Sequence, residues 1–185
     1  FMEKSKYFND LAIKSIEAAN WLCQPDQSIL PFGDTIPINI QEKASFSLNR
    51  IRNNPSCPEG LMFFDKGGIV IHSKYNKLNE SSNYFAFNGS FHSRQHKHAD
   101  DLSIQLFSKG KGIFTDAGSY TYQYNLPERM YVESTRAHNC LEIDGLNYSR
   151  FNSDAFGNAI DSVEEIGNCI FINSTINRRR LYPSD

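Results

Sequence analysis

From residue 60 to residue 176 the chain is cut into short runs rich in β-branched and aromatic residues, each closed by a turn-forming group: GLMFFD, GIVIHSK, NYFAFNGS, LSIQLFS, GIFTDAG, NCLEIDG and NCIFINSTI. Runs of this length and composition suit strands, and seven of them joined by turns argue against βαβ units. The expected body is therefore mainly β, an antiparallel two-sheet sandwich. Composition agrees: Tyr and Phe occur 9 and 14 times, and such side chains favour pleated, half-buried surfaces. SKGKG, between Phe107 and Ile113, predicts a tight hairpin turn.

One helical pattern precedes the strands. Phe8, Leu11, Ala12, Ile16, Ala19 and Leu22 recur at helical spacing with no Pro or Gly among them, which predicts an amphipathic helix ending near Cys23. Its apolar stripe is expected to bury against the β body. QPDQSILPFGDTIP follows, and its three prolines cannot continue a helix. The organisation expected is a helix over 1–23, a linker over 24–37 and a β domain over 38–185. Both ends read as cuts in a longer chain, and the C-terminal cut leaves the β domain open to being incomplete.

Bulk properties exclude several functions. A formal net charge of −2 and a pI near 6.2 give no basic field to recruit nucleic acid or an anionic lipid surface. Arg178, Arg179 and Arg180 form a short basic run that reads as a solvated strand or loop. No apolar run reaches the length of a membrane span, and FMEKSKYFND lacks the apolar region of a signal peptide. Cys23, Cys57, Cys140 and Cys169 are scattered without CxxC spacing, so neither a disulfide framework nor a cysteine zinc site is readable. Cys140, within a strand pattern, reads as a small buried hydrophobe.

The chemistry concentrates elsewhere. HSRQHKHAD holds three of the five histidines, at positions 92, 96 and 98. FTDAGSY and STRAHNC follow and supply Asp116 and His138. Two imidazoles and a carboxylate are a zinc donor set, although two histidines one residue apart also occur in surface loops. Geometry adds a condition. If the strand LSIQLF ran straight back through the histidines, His98 would lie roughly 16–20 Å from Asp116 at about 3.3 Å per residue. The segment 92–101 must instead bend over the sheet as a loop for His98, Asp116 and His138 to share an ion.

HKHADDLSIQLFSKGKGIFTDAGSYTY followed by YVESTRAHNCLEIDG resembles the signature stretch of the heparinase II/III-like polysaccharide lyases. The shared order is His-x-His-x-Asp, a hairpin, Asp-x-Gly, aromatic residues, Ser-Thr-x-x-His-Asn and a closing Asp-Gly, across residues 84–146. LPFGDT resembles the segment that leaves the helical toroid in these enzymes. The resemblance implies a supersandwich-like β domain behind an (α/α) toroid, of which the helix 1–23 would be the last element. It implies that His98, Asp116 and His138 hold a zinc beside the active site, and that His96 faces the substrate. It also implies a tyrosine hydroxyl in the cleft, with Tyr124 fitting best by spacing and Tyr122 and Tyr120 as alternatives. The toroid would supply the principal tyrosine and the Asn or His that neutralises the substrate carboxylate, so the chain alone is expected to be inactive. By the same resemblance the protein would be bacterial and periplasmic or extracellular.

The implied reaction is β-elimination on a uronic acid within an anionic polysaccharide, with glycosaminoglycan, alginate and capsular polymer all open. A proton leaves C5 and the glycosidic oxygen leaves C4, so a base, an acid and groups that meet the developing enolate are needed. Arg94, Lys97, Arg129 and Arg136 are candidates for attracting the polyanion. Asp101 is a candidate turn cap or second carboxylate behind a ligand histidine, and Asn139 a candidate orienter of the loop after His138. His72 reads as a structural strand residue and His92 as a surface one. Two other functions compete: a zinc-stabilised carbohydrate-binding module without chemistry, and a metal-dependent hydrolase. The hydrolase is weaker because no glutamate base sits beside the candidate ligands, as it does in His-Glu-x-x-His.

Overall fold

The computed structural model describes residues 2–36, 58–74, 82–148, 157–176 and 181–183. A helix, α1 (Met2–Trp21), leads into a strap without regular structure, in which Cys23 and Ile29 form an isolated bridge. The main sheet has the order β1 (Gly60–Phe64), β2 (Ile69–Lys74), β3 (Asn83–Asn88), β5 (Ser103–Ser108), β6 (Lys111–Phe114), antiparallel throughout. Three two-stranded ladders accompany it among the described residues. They pair β4 (Ser90–Phe91) with β8 (Gly157–Asn158), β7 (Leu146–Tyr148) with β11 (Leu181–Pro183), and β9 (Ile160–Ile166) with β10 (Cys169–Ser174). The mainly β, antiparallel architecture expected from the sequence is the one found.

The register shows how the core forms. Met62, Ile71, Ala86 and Gln105 stand side by side across four strands, with Phe64, Ile69, Tyr84 and Phe107 on the same face. Trp21 and Leu30 close over that face to make the apolar core with Ile71, Tyr84, Ala86 and Phe107. The Tyr84 hydroxyl donates to the Trp21 carbonyl at 2.9 Å, satisfying a buried phenol at the helix end. The SKGKG turn forms as expected: Lys109 and Gly110 take φ of 51° and 78° between Ser108 and Lys111, as a two-residue hairpin requires.

Several expectations fail in instructive ways. The apolar stripe of α1 does not bury along its length. Tyr7, Phe8, Leu11 and Ile13 are exposed, and only the last turn, with Trp21 and Leu22, reaches the sheet. Residues 24–36 are no passive linker, since Leu30 joins the core and the Pro31 carbonyl accepts a hydrogen bond from buried Gln105. That strap explains why the more buried face of β5 is Ser103, Gln105 and Phe107 rather than Ile104 and Leu106. Gln105 goes inward because the strap backbone offers its amide a partner.

NCLEIDG does not make a strand. Asp144 and Gly145 take φ of 53° and 69° and turn the chain between Ile143 and Leu146, so β7 begins only after the Asp-Gly. Cys140 accordingly lies half-buried in a loop. GIFTDAG is strand only to Phe114. Among the elements not expected are β9, whose IDSVEEI carries little apolar signal, and a short helix α2 (Pro127–Glu133). Pro127 opens α2 with its φ preset, and Glu128 sits in the first turn, where a carboxylate favours the helix dipole. Cys57 and the basic run 178–180 lie outside the described residues.

Candidate functional site

The histidine segment is a loop, as the distance condition required, and it is fastened on four sides. The Asp34 amide donates to the His96 carbonyl at 3.1 Å, tying the loop to the strap. Ala99 N–H donates to the Glu133 carbonyl at 2.9 Å, tying it to the end of α2. Leu102 N–H reaches the Asn88 carbonyl at 2.7 Å, and Ile104 N–H the Asn139 carbonyl at 3.0 Å. Asp100 adds a side-chain anchor, accepting from Gly33 N–H at 3.1 Å and from the Asn88 amide at 3.3 Å. Held this way, His96 adopts φ of 59°, a region non-glycine residues avoid and one that concentrates at functional sites.

Asp34, which sequence reading placed in a linker, is the centre of the arrangement. Its Oδ2 lies 3.0 Å from His96 Nδ1, and its Oδ1 lies 2.9 Å from His98 Nε2 and 2.6 Å from Arg129 Nη2. Burial pushes the Asp34 carboxyl up, but the bonds from His98, Arg129 and His96 together outweigh it and hold the group below the usual carboxylate range. The effect on His98 runs the other way. Burial pushes its pKa down despite the bond to Asp34, so the ring is neutral near pH 7. A neutral ring donating from Nε2 carries its lone pair on Nδ1.

His138 follows a 3₁₀ turn (Thr135–Ala137), and its N–H closes that turn on the Thr135 carbonyl at 3.1 Å. Its Nδ1 lies 2.8 Å from Asp116 Oδ2, while Asp116 Oδ1 accepts from Gly118 N–H at 2.9 Å. The rings of His98 and His138 are 5.3 Å apart, tilted by 43°. The three expected zinc ligands are thus neighbours, drawn from three distant stretches. As they stand, no three His, Cys, Asp or Glu donors among the described residues are placed around one ion. The donor chemistry nonetheless fits one. His98 Nδ1 and His138 Nε2 are both buried without a hydrogen-bond partner, and an orphaned buried imidazole nitrogen is a ligand atom in want of a Lewis acid or a proton.

The four candidate cations divide. Arg129 is 0 % exposed, pairs with Asp34 and with Glu133, and donates to the Ser119 carbonyl. Lys97 is also buried, between Asp100 and Asp101 at the foot of the loop, with the Phe91 ring 5.7 Å away. Both depart from the expectation of substrate cations, because their charge is consumed by internal carboxylates. Burial pushes Asp100 up, yet the Lys97 ammonium above all overrides this and holds it low. Arg136 is exposed but forks onto Glu142 at 2.9 and 3.1 Å. Arg94 is exposed on the histidine loop itself.

The Asp101 carboxylate takes Lys97, and the Tyr148 hydroxyl bonds to that carboxylate and accepts from the Asp101 amide at 2.9 Å. Asn139 holds the neighbouring loop, donating to the Thr115 carbonyl at 2.9 Å. The three tyrosines are exposed. The Tyr122 ring stands edge-on to His96 at 6.0 Å and 5.9 Å from the Arg129 guanidinium, and Tyr124 lies 5.1 Å from that guanidinium.

Sequence reading missed Asp34 and Gly33. The signal available was LPFGDT itself, a Gly-Asp inside a segment already noted for its resemblance. Gly33 has φ of 56°, and a Cβ there would stand 2.3 Å from the His96 carbonyl oxygen, so only glycine lets strap and loop approach so closely.

Comparison with solved structures places this fold. The chain aligns with a heparinase III, the BT4657 gene product, at TM-score 0.69 and 16 % identity, covering 90 % of this chain and 28 % of that one. A second heparinase III aligns at TM-score 0.61 and 15 % identity over 82 % of this chain. The heparan sulfate lyase HepC from Pedobacter heparinus aligns at 0.61 and 16 % over 77 %. The chain thus spans 28 % of the length of each of these structures. Among curated proteins, none matches it in sequence. A family model, heparinase II/III-like, C-terminal, matches residues 58–169, more than half of the chain and the whole stretch from β1 to the start of β10. The loop with its two central histidines, Asp116 and His138 all fall inside that match, and the chain belongs to the heparinase II/III-like family.

Proposed function

We propose that this chain is the β part of a polysaccharide lyase that cleaves a uronic-acid-containing, anionic polysaccharide by β-elimination. What carries the reading is the contrast at the loop tip. The His96 side chain is 65 % exposed, whereas the Asp34 carboxylate that holds its Nδ1 is buried. A ring tethered through Nδ1 to a carboxylate keeps Nε2 for an incoming group, and the carboxylate stabilises the imidazolium once Nε2 has taken a proton. Tyr122, edge-on to that ring, brings a phenol to the same place.

Elimination asks little else of the β domain. The C5–H bond breaks and its proton goes to a base. The electron pair becomes the C4–C5 double bond, and the C4–O bond breaks as the leaving oxygen takes a proton from an acid. No water is consumed and nothing is oxidised. His96 and Tyr122, with Tyr124 behind it, share these proton transfers in our reading, each worth typically about 10²- to 10⁴-fold. Arg94 is the exposed cation on the same loop that meets the polyanion. The group that neutralises the uronate carboxylate comes from a helical toroid in the complete protein, so this chain alone is inactive.

His98, Asp116 and His138 would hold a zinc ion, with Asp34 as the carboxylate behind His98. When bound, the ion supplies a fixed positive charge that cross-links the three loops. The names of the solved relatives make heparan sulfate the first substrate to try. Incubation of the full-length protein with it should release an unsaturated uronate that absorbs in the ultraviolet, and His96→Ala should abolish that product. New reducing ends without the chromophore would mean hydrolysis, and tight binding of intact polymer without cleavage would mean a binding module. Zinc content should fall in His98→Ala and Asp116→Ala, and content unchanged from the wild type in both removes the ligand assignment.

A further inference from the structure

We infer that Asp34 and Arg129 form a positioning pair that fixes His96 and the two exposed tyrosines relative to one another. The inference rests on the reading of His96 and Tyr122 as the proton-transfer groups, and it assigns a task to two residues that cannot themselves reach substrate. Asp34 lies in the strap after α1, and Arg129 in α2, ninety-five residues later (129 − 34). Their side chains meet at 2.6 Å in the protein interior.

Each partner holds one half of the site. Asp34 divides its two oxygens: Oδ2 serves His96, while Oδ1 serves His98 and Arg129. Arg129 lies against the rings of Tyr122 and Tyr124 at 5.9 and 5.1 Å, within the range of cation–π attraction. It also donates to the Ser119 carbonyl, at the start of the aromatic segment. Glu133 balances its remaining charge at 2.6 Å. The tyrosine segment and the histidine loop are therefore referred to one buried ion pair. The backbone reinforces it through the Asp34 amide on the His96 carbonyl and the close approach allowed by Gly33.

A chemical consequence follows from the division of oxygens. An amide in place of the carboxylate has one acceptor and one donor. Two donors, His98 Nε2 and Arg129 Nη2, claim the acceptor side, so the amide nitrogen must face His96. His96 Nδ1 would then have to accept, and its proton would move to Nε2, the atom meant to take one from the sugar.

Asp34→Asn in the full-length protein tests this. Nitrogen-15 spectra of the histidine side chains, at fixed pH and without substrate, should show the His96 proton on Nδ1 in the wild type and on Nε2 in the variant. With heparan sulfate, kcat should fall about 10- to 100-fold with KM within about threefold, as expected of lost orientation. Arg129→Lys keeps the charge but loses the fork, and should lower kcat about tenfold at similar KM. The Asp34→Asn, Arg129→Lys double variant should lose less than the two factors multiplied. A His96 proton that stays on Nδ1 in Asp34→Asn overturns the inference, and so does an unchanged kcat. Should Asp34→Asn fail to fold by circular dichroism, Asp34→Glu takes its place, and there too an unchanged kcat overturns it. Full activity in His96→Ala refutes the reading of His96 instead, while leaving the tautomer result intact.

Discussion

The interior between the end of α1 and the main sheet closes around Trp21, Leu30, Ile71, Tyr84, Ala86 and Phe107. The interior beneath the histidine loop closes around Asp34, His98, Asp100, Arg129 and His138, all buried as well. The first is held by removal of apolar surface from water, which is non-directional and tolerates many packings. The second is held by charge-assisted bonds whose desolvation is offset only when every partner is in place. One interior supports the fold. The other fixes atoms, and it does so beneath the exposed His96. Polar burial of this density is a poor way to gain stability, and its presence in a loop region points to function.

Substitutions can break the comparison at either end. The largest loss is expected from Arg129→Met, which strands the Asp34 carboxylate without its ion pair and should cost about 3–5 kcal/mol in denaturant unfolding. Phe107→Ala should cost a similar amount, about 3–5 kcal/mol, through a cavity under the sheet. The two then separate by a second readout: the histidine side-chain spectrum should be unchanged in Phe107→Ala and altered in Arg129→Met. Gly33→Ala comes next. Left-handed backbone alone makes it unfavourable by about 1–2 kcal/mol, and overlap with the His96 carbonyl should shift the His96 resonances, whereas Gly60→Ala, with open space around its Cβ, should leave them in place.

Thiol reactivity should sharpen the contrast with less energy at stake. Burial pushes the Cys140 thiol up to about 12, and Cys23 is buried in the strap, while Cys169 is exposed on β10. An alkylating reagent at pH 8 should label Cys169 quickly and the other two only on unfolding, as mass spectrometry of the peptides would report. Rapid labelling of Cys140 would mean that the loops around the site open freely. The smallest effect is expected from Arg136→Ala. Its pair with Glu142 lies in solvent, where such pairs contribute little, and the melting temperature should not move measurably.

Much of the fold was legible because local pattern and tertiary role coincide. GIVIHSK, NYFAFNGS and LSIQLFS became adjacent antiparallel strands, and Lys109-Gly110 made the turn its composition called for. Legibility failed where a partner distant in sequence decided the outcome. IDSVEEI pairs with β10 through backbone bonds that its side chains do not announce. Gln105 faces inward because the strap carbonyl of Pro31 meets it there. The apolar stripe of α1 predicted burial that only its last turn achieves.

The same division runs through the site. Residue type and spacing offered His98, Asp116 and His138 as one donor set and required 92–101 to be a loop, as it is; the family resemblance added His96. The sequence could not rank the cations, since Arg94, Lys97, Arg129 and Arg136 are equivalent as letters and differ only in which carboxylates face them.

What the sequence by itself determined is the class of the fold, which follows from residue type and spacing, and, through the family resemblance of its motifs, the candidate residues of the site. Only the tertiary structure decided that a strap aspartate is the node of that site. The physical reason is that Asp34 acquires its role from three donors that lie 62, 64 and 95 residues away (96 − 34, 98 − 34, 129 − 34), and no local preference of a carboxylate encodes which distant donors it will meet.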